Sequence, residues 1–361
     1  MRSMSGLGRR NQLILAVTGF VVLTMVRHDA SLTKLLSIIN ISFGIVGRKS
    51  NVAPQPPAEP GAAERRLAKD VSERCIRGGQ FAVQPSRAEA DMLFTHMLYD
   101  DSKKLVFCYI AKVGCTNWKR VFAAMKSGNS SSLKIPHHKL HFRRNRHVSY
   151  LSDLNYLEAL HRLQTYKKVM FVRDPATRLL AVYRDLIAWR PKNASDAFMQ
   201  EMFFRDRSEW QTGRRIRPED VNITLTSFLK MVLSRTRPHE MDEHWQTYTS
   251  NCMPCSVRYD YIGKHEELPD SADNVLQALG INNIRFPKKE LDYTNNPVRR
   301  KSAKELYSRV SRTLLQSAWH RYGNDIELFG YSALDSYGTE DDSPDVEADT
   351  LADYLRRTRP L

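Results

Sequence analysis

Two strand-to-helix corners constrain the fold of this chain more than any other feature. Residues 104–121 read KLVFCYIAKVGCTNWKRV: an apolar run with strand character over 105–110, a tight turn of Lys112-Val113-Gly114-Cys115-Thr116-Asn117, then a helix-like Trp118-Lys119-Arg120-Val121. A small-residue loop between a strand and a helix N-terminus cradles an anion, because its backbone N–H groups and the helix dipole both favour negative charge. Residues 170–185 read MFVRDPATRLLAVYRD and repeat the plan. Here an apolar strand ends at Arg173, and Pro175 takes the first helical position, where its missing N–H costs nothing. Two corners, one carrying Lys and one Arg, suit a ligand with phosphate groups at two separated points.

The segments around the corners alternate between strand-like and helix-like. Apolar runs at 105–110, 169–172 and 259–262 predict buried strands, and 116–125, 153–163, 175–188, 226–233 and 303–320 predict helices. That pattern is α/β, a P-loop-like parallel sheet flanked by helices, whose ligands bind outside the carboxyl ends of the strands. Both corners fall at such ends. No internal repeat is visible.

With 361 residues and 42% apolar residues the chain can bury a large core, and its net charge of +15 points to acidic partners. Nucleic acid fits the charge but not the N-terminus. Residues 11–26 carry no charge and are rich in Leu, Ile and Val, with Arg2, Arg9 and Arg10 ahead of them. This reads as a signal-anchor helix with 1–10 in the cytoplasm and the remainder in a lumen, a single-pass type II arrangement. A cleaved signal peptide is the alternative. Residues 35–46 form a second apolar patch too short to span alone, and the Pro-rich, polar stretch that follows makes 27–87 an extended lumenal stem. The catalytic domain is expected over 88–331, and the acidic 332–361 reads as a disordered tail. Glycosylation acceptor patterns stand at Asn40, Asn129, Asn193 and Asn222.

The cysteines are Cys75, Cys108, Cys115, Cys252 and Cys255. Cys252-Met-Pro-Cys255 has the spacing of a zinc half-site, a redox pair or a local disulfide; with no second CxxC to complete a zinc site, a disulfide fits an oxidising lumen better. The odd count leaves a thiol over, and Cys115 inside the cradle is a candidate for it.

The corners as they stand, AKVGCTNWKR over 111–120 and RDPATRLLAVYR over 173–184, resemble those of the membrane-anchored carbohydrate sulfotransferases, the chondroitin and dermatan 4-O-sulfotransferases among them. There the first corner usually reads PKVACTNWKR and the second RDPFERLVSAYR. The likeness continues in EHWQTY (243–248), CMPC with YDYIGKHEEL (252–268) and RYGNDIELFGY (321–331), in the family's own order. The resemblance implies a Golgi-membrane enzyme that uses 3′-phosphoadenylyl sulfate (PAPS) with no metal. Its acceptor would be an anionic glycosaminoglycan, foremost position 4 of N-acetylgalactosamine in chondroitin or dermatan. A homo-oligomer is left open.

Carried onto this sequence, the resemblance makes Ala111, Lys112, Val113, Gly114, Cys115, Thr116 and Asn117 the binding loop for the 5′-phosphosulfate. Lys112 would neutralise charge as the nucleotide leaves, and Arg173 would bind the 3′-phosphate. The family places a Ser eight residues beyond that Arg; this chain has Ala181, which removes a hydrogen bond to a charged group, an effect of about 1.5–3 kcal/mol if nothing compensates. Arg178 is expected to anchor its helix through a salt bridge, and Trp118 to pack in the core. The acceptor hydroxyl needs a general base. His147, between the corners, is the first candidate and His244 the second, while the basic run from His137 to Arg146 is suited to holding substrate. A P-loop NTPase is the wrong class, since G-x-x-x-x-G-K-[ST] is missing. A catalytically weak glycan-binding protein on the same fold is the alternative that Ala181 and Ala111 raise.

Overall fold

The structure is a computed structural model that describes residues 59–79, 85–141, 146–184, 224–234, 241–288 and 302–332. The expectations for 1–10, 11–26, 35–46, 185–188, Asn40, Asn193, Asn222 and the acidic tail from residue 333 lie outside the described residues. In chain order, helices α1 (Ala62–Arg77) and α2 (Arg87–Thr95) precede strands β1 (Met97–Asp100) and β2 (Leu105–Cys108). Helices α3 (Cys115–Ser127), α4 (His137–His141) and α5 (Tyr156–Thr165) lead to β3 (Lys167–Val172). Helices α6 (Pro175–Val182), α7 (Leu225–Ser234) and α8 (Tyr248–Asn251) lead to β4 (Tyr261–Lys264). Then come α9 (Asp270–Ala278), α10 (Ala303–Tyr307) and α11 (Arg312–Phe329).

Among the described residues the strands form one sheet in the order β1-β2-β3-β4. Strand β2 is buried at every position, and β3 passes from exposed to buried along KKVMFV, ending in VMFV, the unbroken apolar run that a strand covered on both faces requires. Strands β2, β3 and β4 are parallel, with Phe107 opposite Val169 and Met170 opposite Ile262. Both crossovers carry helices, so the predicted α/β class with a parallel sheet is observed. Strand β1 adds an antiparallel edge, Met97 opposite Cys108, which the sequence reading missed. Its four residues, MLYD, are too few to show a period.

Trp118 sits at the centre of the core as expected: it is 1% exposed, stacks on Phe107 at 4.5 Å between ring centroids, and meets Phe171 at 5.1 Å and Phe286 at 5.2 Å. Gly263 in β4 makes room for that cluster, because a Cβ there would stand 2.2 Å from Phe171 Cε1. A second cluster, including Phe228, Leu229, Trp245 and Tyr322, packs α6, α7 and α11 together.

Helix bounds follow the caps. Asn155 Oδ1 accepts from Glu158 N at 3.0 Å and starts α5 later than predicted. Ser311 caps α11, so the helix expected over 303–320 is two.

The stem needs correcting over Ala62–Arg77, which is a helix and not an extended chain. The segment AAERRLAKDVSERCIR is polar on average, but Ala68, Val71 and Cys75 fall at helical spacing and are buried, so α1 packs against β4 and α11. Arg74 Nη1 donates to Leu328 O at 2.7 Å, and buried Glu64 accepts from the Ser271 hydroxyl at 2.5 Å.

Cys75 is bonded to Cys255 and Cys108 to Cys252. The CxxC thiols therefore pair outward with two distant partners, which displaces the zinc, redox and local-bridge readings together. Cys115 is the free thiol, as expected.

Candidate active site

The first cradle is the turn from β2 into α3. Two residues stand in the left-handed region, Lys112 at φ 65° and Gly114 at φ 71°, and Gly114 is the N-cap of α3. A Cβ at Gly114 would come within 3.1 Å of Leu268 Cδ1, so the loop closes this tightly only without one. Cys115 opens the helix, and the N–H groups of its first turn have no partner within the helix. Val113 is buried and its N–H bonds Ile110 O at 3.3 Å, which makes it an anchor of the turn. Asn117 is likewise committed: Nδ2 donates to Pro287 O at 3.2 Å and Oδ1 accepts from Arg120 Nη1 at 2.8 Å. Of the expected side-chain donors, Lys112, Cys115 and Thr116 are half-buried at the turn.

The second corner reaches directly into the first. Arg173 Nη1 donates to Lys112 O at 3.1 Å and Nε to Thr177 Oγ1 at 3.1 Å. Its backbone is held by the buried Tyr248, whose hydroxyl donates to Arg173 O at 2.6 Å. Asp174 caps α6 by accepting from Thr177 N at 2.8 Å, with Pro175 next as the sequence predicts. Ala181, half-buried, follows Thr177 by one turn on the same face.

Arg178 anchors α6, but not through a salt bridge. It is 2% exposed, and its guanidinium donates to three carbonyl oxygens: Ala111 at 3.0 Å, Gln246 at 2.6 Å and Glu243 at 3.0 Å. A planar fork with donors in fixed directions suits such a three-way junction. It ties the cradle to the EHWQTY segment and thereby places His244.

His244 is oriented by its neighbour, with Nδ1 2.5 Å from Asp242 Oδ1. Burial works against ionised Asp242, but the hydrogen bond and charge of His244 outweigh it and hold the carboxyl below its ordinary value. Beside it, Glu243 Oε2 accepts from Tyr109 OH at 3.3 Å. Two further histidines, which the sequence reading treated only as part of a basic run, stand at the cradle. His141 Nε2 lies 3.0 Å from Thr116 Oγ1, and the His137 ring stacks on His141 at 4.2 Å. Partial withdrawal from water, on a residue that keeps an exposed face, and then the charges of Lys119, His137, His244 and Lys112 lower His141 from the usual imidazole range. The i, i+4 spacing in HHKLH was the available signal.

His147 is exposed and stands two residues from Ser149, whose hydroxyl accepts from Lys126 Nζ at 3.0 Å. Lys126 is in the last turn of α3, about 16 Å along the helix from Cys115 at ~1.5 Å per residue. Arg173 thus meets the backbone of Lys112, and Arg178 joins the cradle to the segment that carries His244, while His147 stands two residues from the Ser149–Lys126 contact.

The sulfotransferase family matches residues 95–332 of this chain. Carbohydrate sulfotransferase 14 of Danio rerio is 29% identical over 344 residues, covering 85% of this chain and 89% of the relative. The Homo sapiens protein of that name is 30% identical over 290 residues, 77% and 74% of the two chains, and Mus musculus carbohydrate sulfotransferase 11 is 28% identical over 244 residues, 66% and 67%. No solved structure matches.

Proposed function

This chain belongs to the sulfotransferase family and is an enzyme of carbohydrate sulfation with PAPS as donor; from that premise we propose that its acceptor is position 4 of N-acetylgalactosamine in a chondroitin or dermatan chain. The observation that supports the site assignment is the hydrogen bond from Arg173 Nη1 to Lys112 O, which brings the two corners together. The net charge of +15 supports an anionic polysaccharide as acceptor.

The residues present fit the donor. Gly114 leaves the floor of the cradle open, the first turn of α3 offers backbone N–H groups, and Lys112 and Arg173 bring one cation to each corner. PAPS supplies an activated sulfuryl group on a phosphate leaving group. Lys112 neutralises the negative charge that grows on that phosphate as its oxygen–sulfur bond breaks. Asp242 holds the Nδ1–H of His244, leaving Nε2 to take the proton from the sugar hydroxyl as the new oxygen–sulfur bond forms. Arg173 binds the 3′-phosphate and fixes the register of the donor. His147 is the competing base, and the carboxylate of Asp242 that orients the His244 ring favours His244. The family needs positioning and charge stabilisation more than covalent catalysis, as phosphoryl transfer does.

The reading includes a single-pass type II placement in the Golgi membrane with the catalytic part in the lumen. Two disulfides, which form and persist in oxidising compartments, support it. Incubation with radiolabelled PAPS and a panel of desulfated glycosaminoglycans tests the acceptor. Label entering desulfated chondroitin or dermatan at position 4 is expected. Label confined to other sugars refutes the assignment and leaves the family intact.

A further inference from the structure

The chain keeps the arginine of its second corner but lacks the hydroxyl at Ala181, and that pair of facts sends attention to the rest of the face. Residues 173, 177 and 181 succeed one another at i, i+4 and i+8, on one side of α6 and its entry. Where the related corners carry Glu and Ser at the second and third of these places, this chain carries Thr177 and Ala181. A carboxylate has gone from beside the arginine and a hydroxyl has come in, one turn or about 6 Å closer to the helix start. Thr177 is half-buried, and its Oγ1 accepts from Arg173 Nε at 3.1 Å. Arg173 Nη2 makes no hydrogen bond among the described residues. The Thr177 proton goes to Asp174 O at 3.1 Å, an in-helix bond that an ionised acceptor outcompetes, since charge-assisted hydrogen bonds are about twice as strong as neutral ones.

We infer that the Thr177 hydroxyl, together with Arg173, binds the 3′-phosphate of the donor and takes over the work of the hydroxyl that position 181 lacks. This rests on the PAPS reading of the cleft and goes beyond it by naming the residue that distinguishes a 3′-phosphorylated nucleotide. It also makes the chain a full donor-binding enzyme despite Ala181.

The test is calorimetric binding of adenosine 3′,5′-bisphosphate and of adenosine 5′-monophosphate to the full chain, in wild type, Thr177→Val, Thr177→Ser, and Thr177→Val combined with Ala181→Ser. Valine keeps the branched shape and removes only the hydroxyl. In Thr177→Val, bisphosphate affinity should fall roughly 10- to 100-fold while monophosphate affinity holds. Thr177→Ser should bind both as wild type does. Serine at 181 should restore most of the bisphosphate affinity to the valine variant, because it returns a donor without remaking the bond to Arg173 Nε. Unchanged selectivity in Thr177→Val overturns the inference, as does an equal loss for both nucleotides. Lost selectivity that Ala181→Ser fails to restore also overturns it, assigning Thr177 to holding Arg173. A wild-type chain that binds the two nucleotides equally refutes the PAPS reading itself.

Discussion

Replacing Arg178 with lysine is the sharpest probe of how the site is held together. The guanidinium is buried and satisfies the carbonyls of Ala111, Gln246 and Glu243 at once, and its Cζ lies 4.9 Å from the Tyr248 ring centroid. A lysine keeps the charge but brings one ammonium, which cannot reach three carbonyls spread around a fork. Two buried acceptors left unpaired at about 1–3 kcal/mol each give an expected loss of roughly 2–6 kcal/mol. The same bonds hold the cradle at Ala111 to the segment bearing His244, so kcat should fall by about 10²-fold, the usual cost of a misplacement near 1 Å. Urea unfolding followed by tryptophan fluorescence reads the first effect, and saturating-substrate turnover with bisphosphate binding reads the second. Both stability and kcat should drop, with donor affinity falling less than kcat. An Arg178→Lys enzyme with a wild-type urea midpoint and turnover would refute the clamp. Lost donor affinity with stability intact would make Arg178 a ligand residue instead.

Lys112→Ala should abolish turnover with modest change in donor binding, whereas Arg173→Ala should chiefly raise the PAPS concentration required; equal kcat losses with unchanged donor affinity would contradict these roles. Turnover against pH separates the bases, because protonation removes the lone pair a base needs. The acid limb should vanish in His244→Ala and persist in His147→Ala, and the reverse would restore His147. Asp325 is fully buried, which pushes its carboxyl up from 3.8 to about 6 despite bonds from Tyr248 N and Thr249 N. A raised folded-state value means the fold holds this proton more tightly than the unfolded chain does. Its contribution therefore favours the fold below the lower value and is lost as pH rises through the upper one. The stability of wild type relative to Asp325→Asn should fall over that window and level off above it; a difference independent of pH would sink the assignment.

The parts of this molecule legible in its sequence are those where local chemistry decides. Both corners read correctly because Gly114, Pro175 and the apolar runs before them act within a few residues of themselves. The free thiol at Cys115 and the core role of Trp118 followed from the same reasoning. What escaped depends on distant neighbours. Helix α1 looked like linker because what Val71 and Cys75 pack against, β4 and α11, lies far along the chain. Arg178 looked like one half of an ion pair, yet its partners are carbonyls belonging to segments more than sixty residues away. The CxxC suggested local closure, and each thiol goes elsewhere. His137 and His141 were visible as part of a basic run suited to substrate, but not as ring partners at Thr116, since that contact depends on how the crossover folds back.

The two disulfides also set a schedule. Cys108 waits for Cys252, 144 residues on, and Cys75 for Cys255, 180 residues on, so neither bond can form until nearly the whole double crossover has been synthesised. Through that interval Cys75, Cys108 and Cys115 have only one another to pair with, and any such pairing must be undone before the sheet can take its order. Once made, the bonds are nested. A protease cutting anywhere between Cys108 and Cys252 opens the chain without releasing a fragment, and the two pieces migrate as one molecule until a reductant is added.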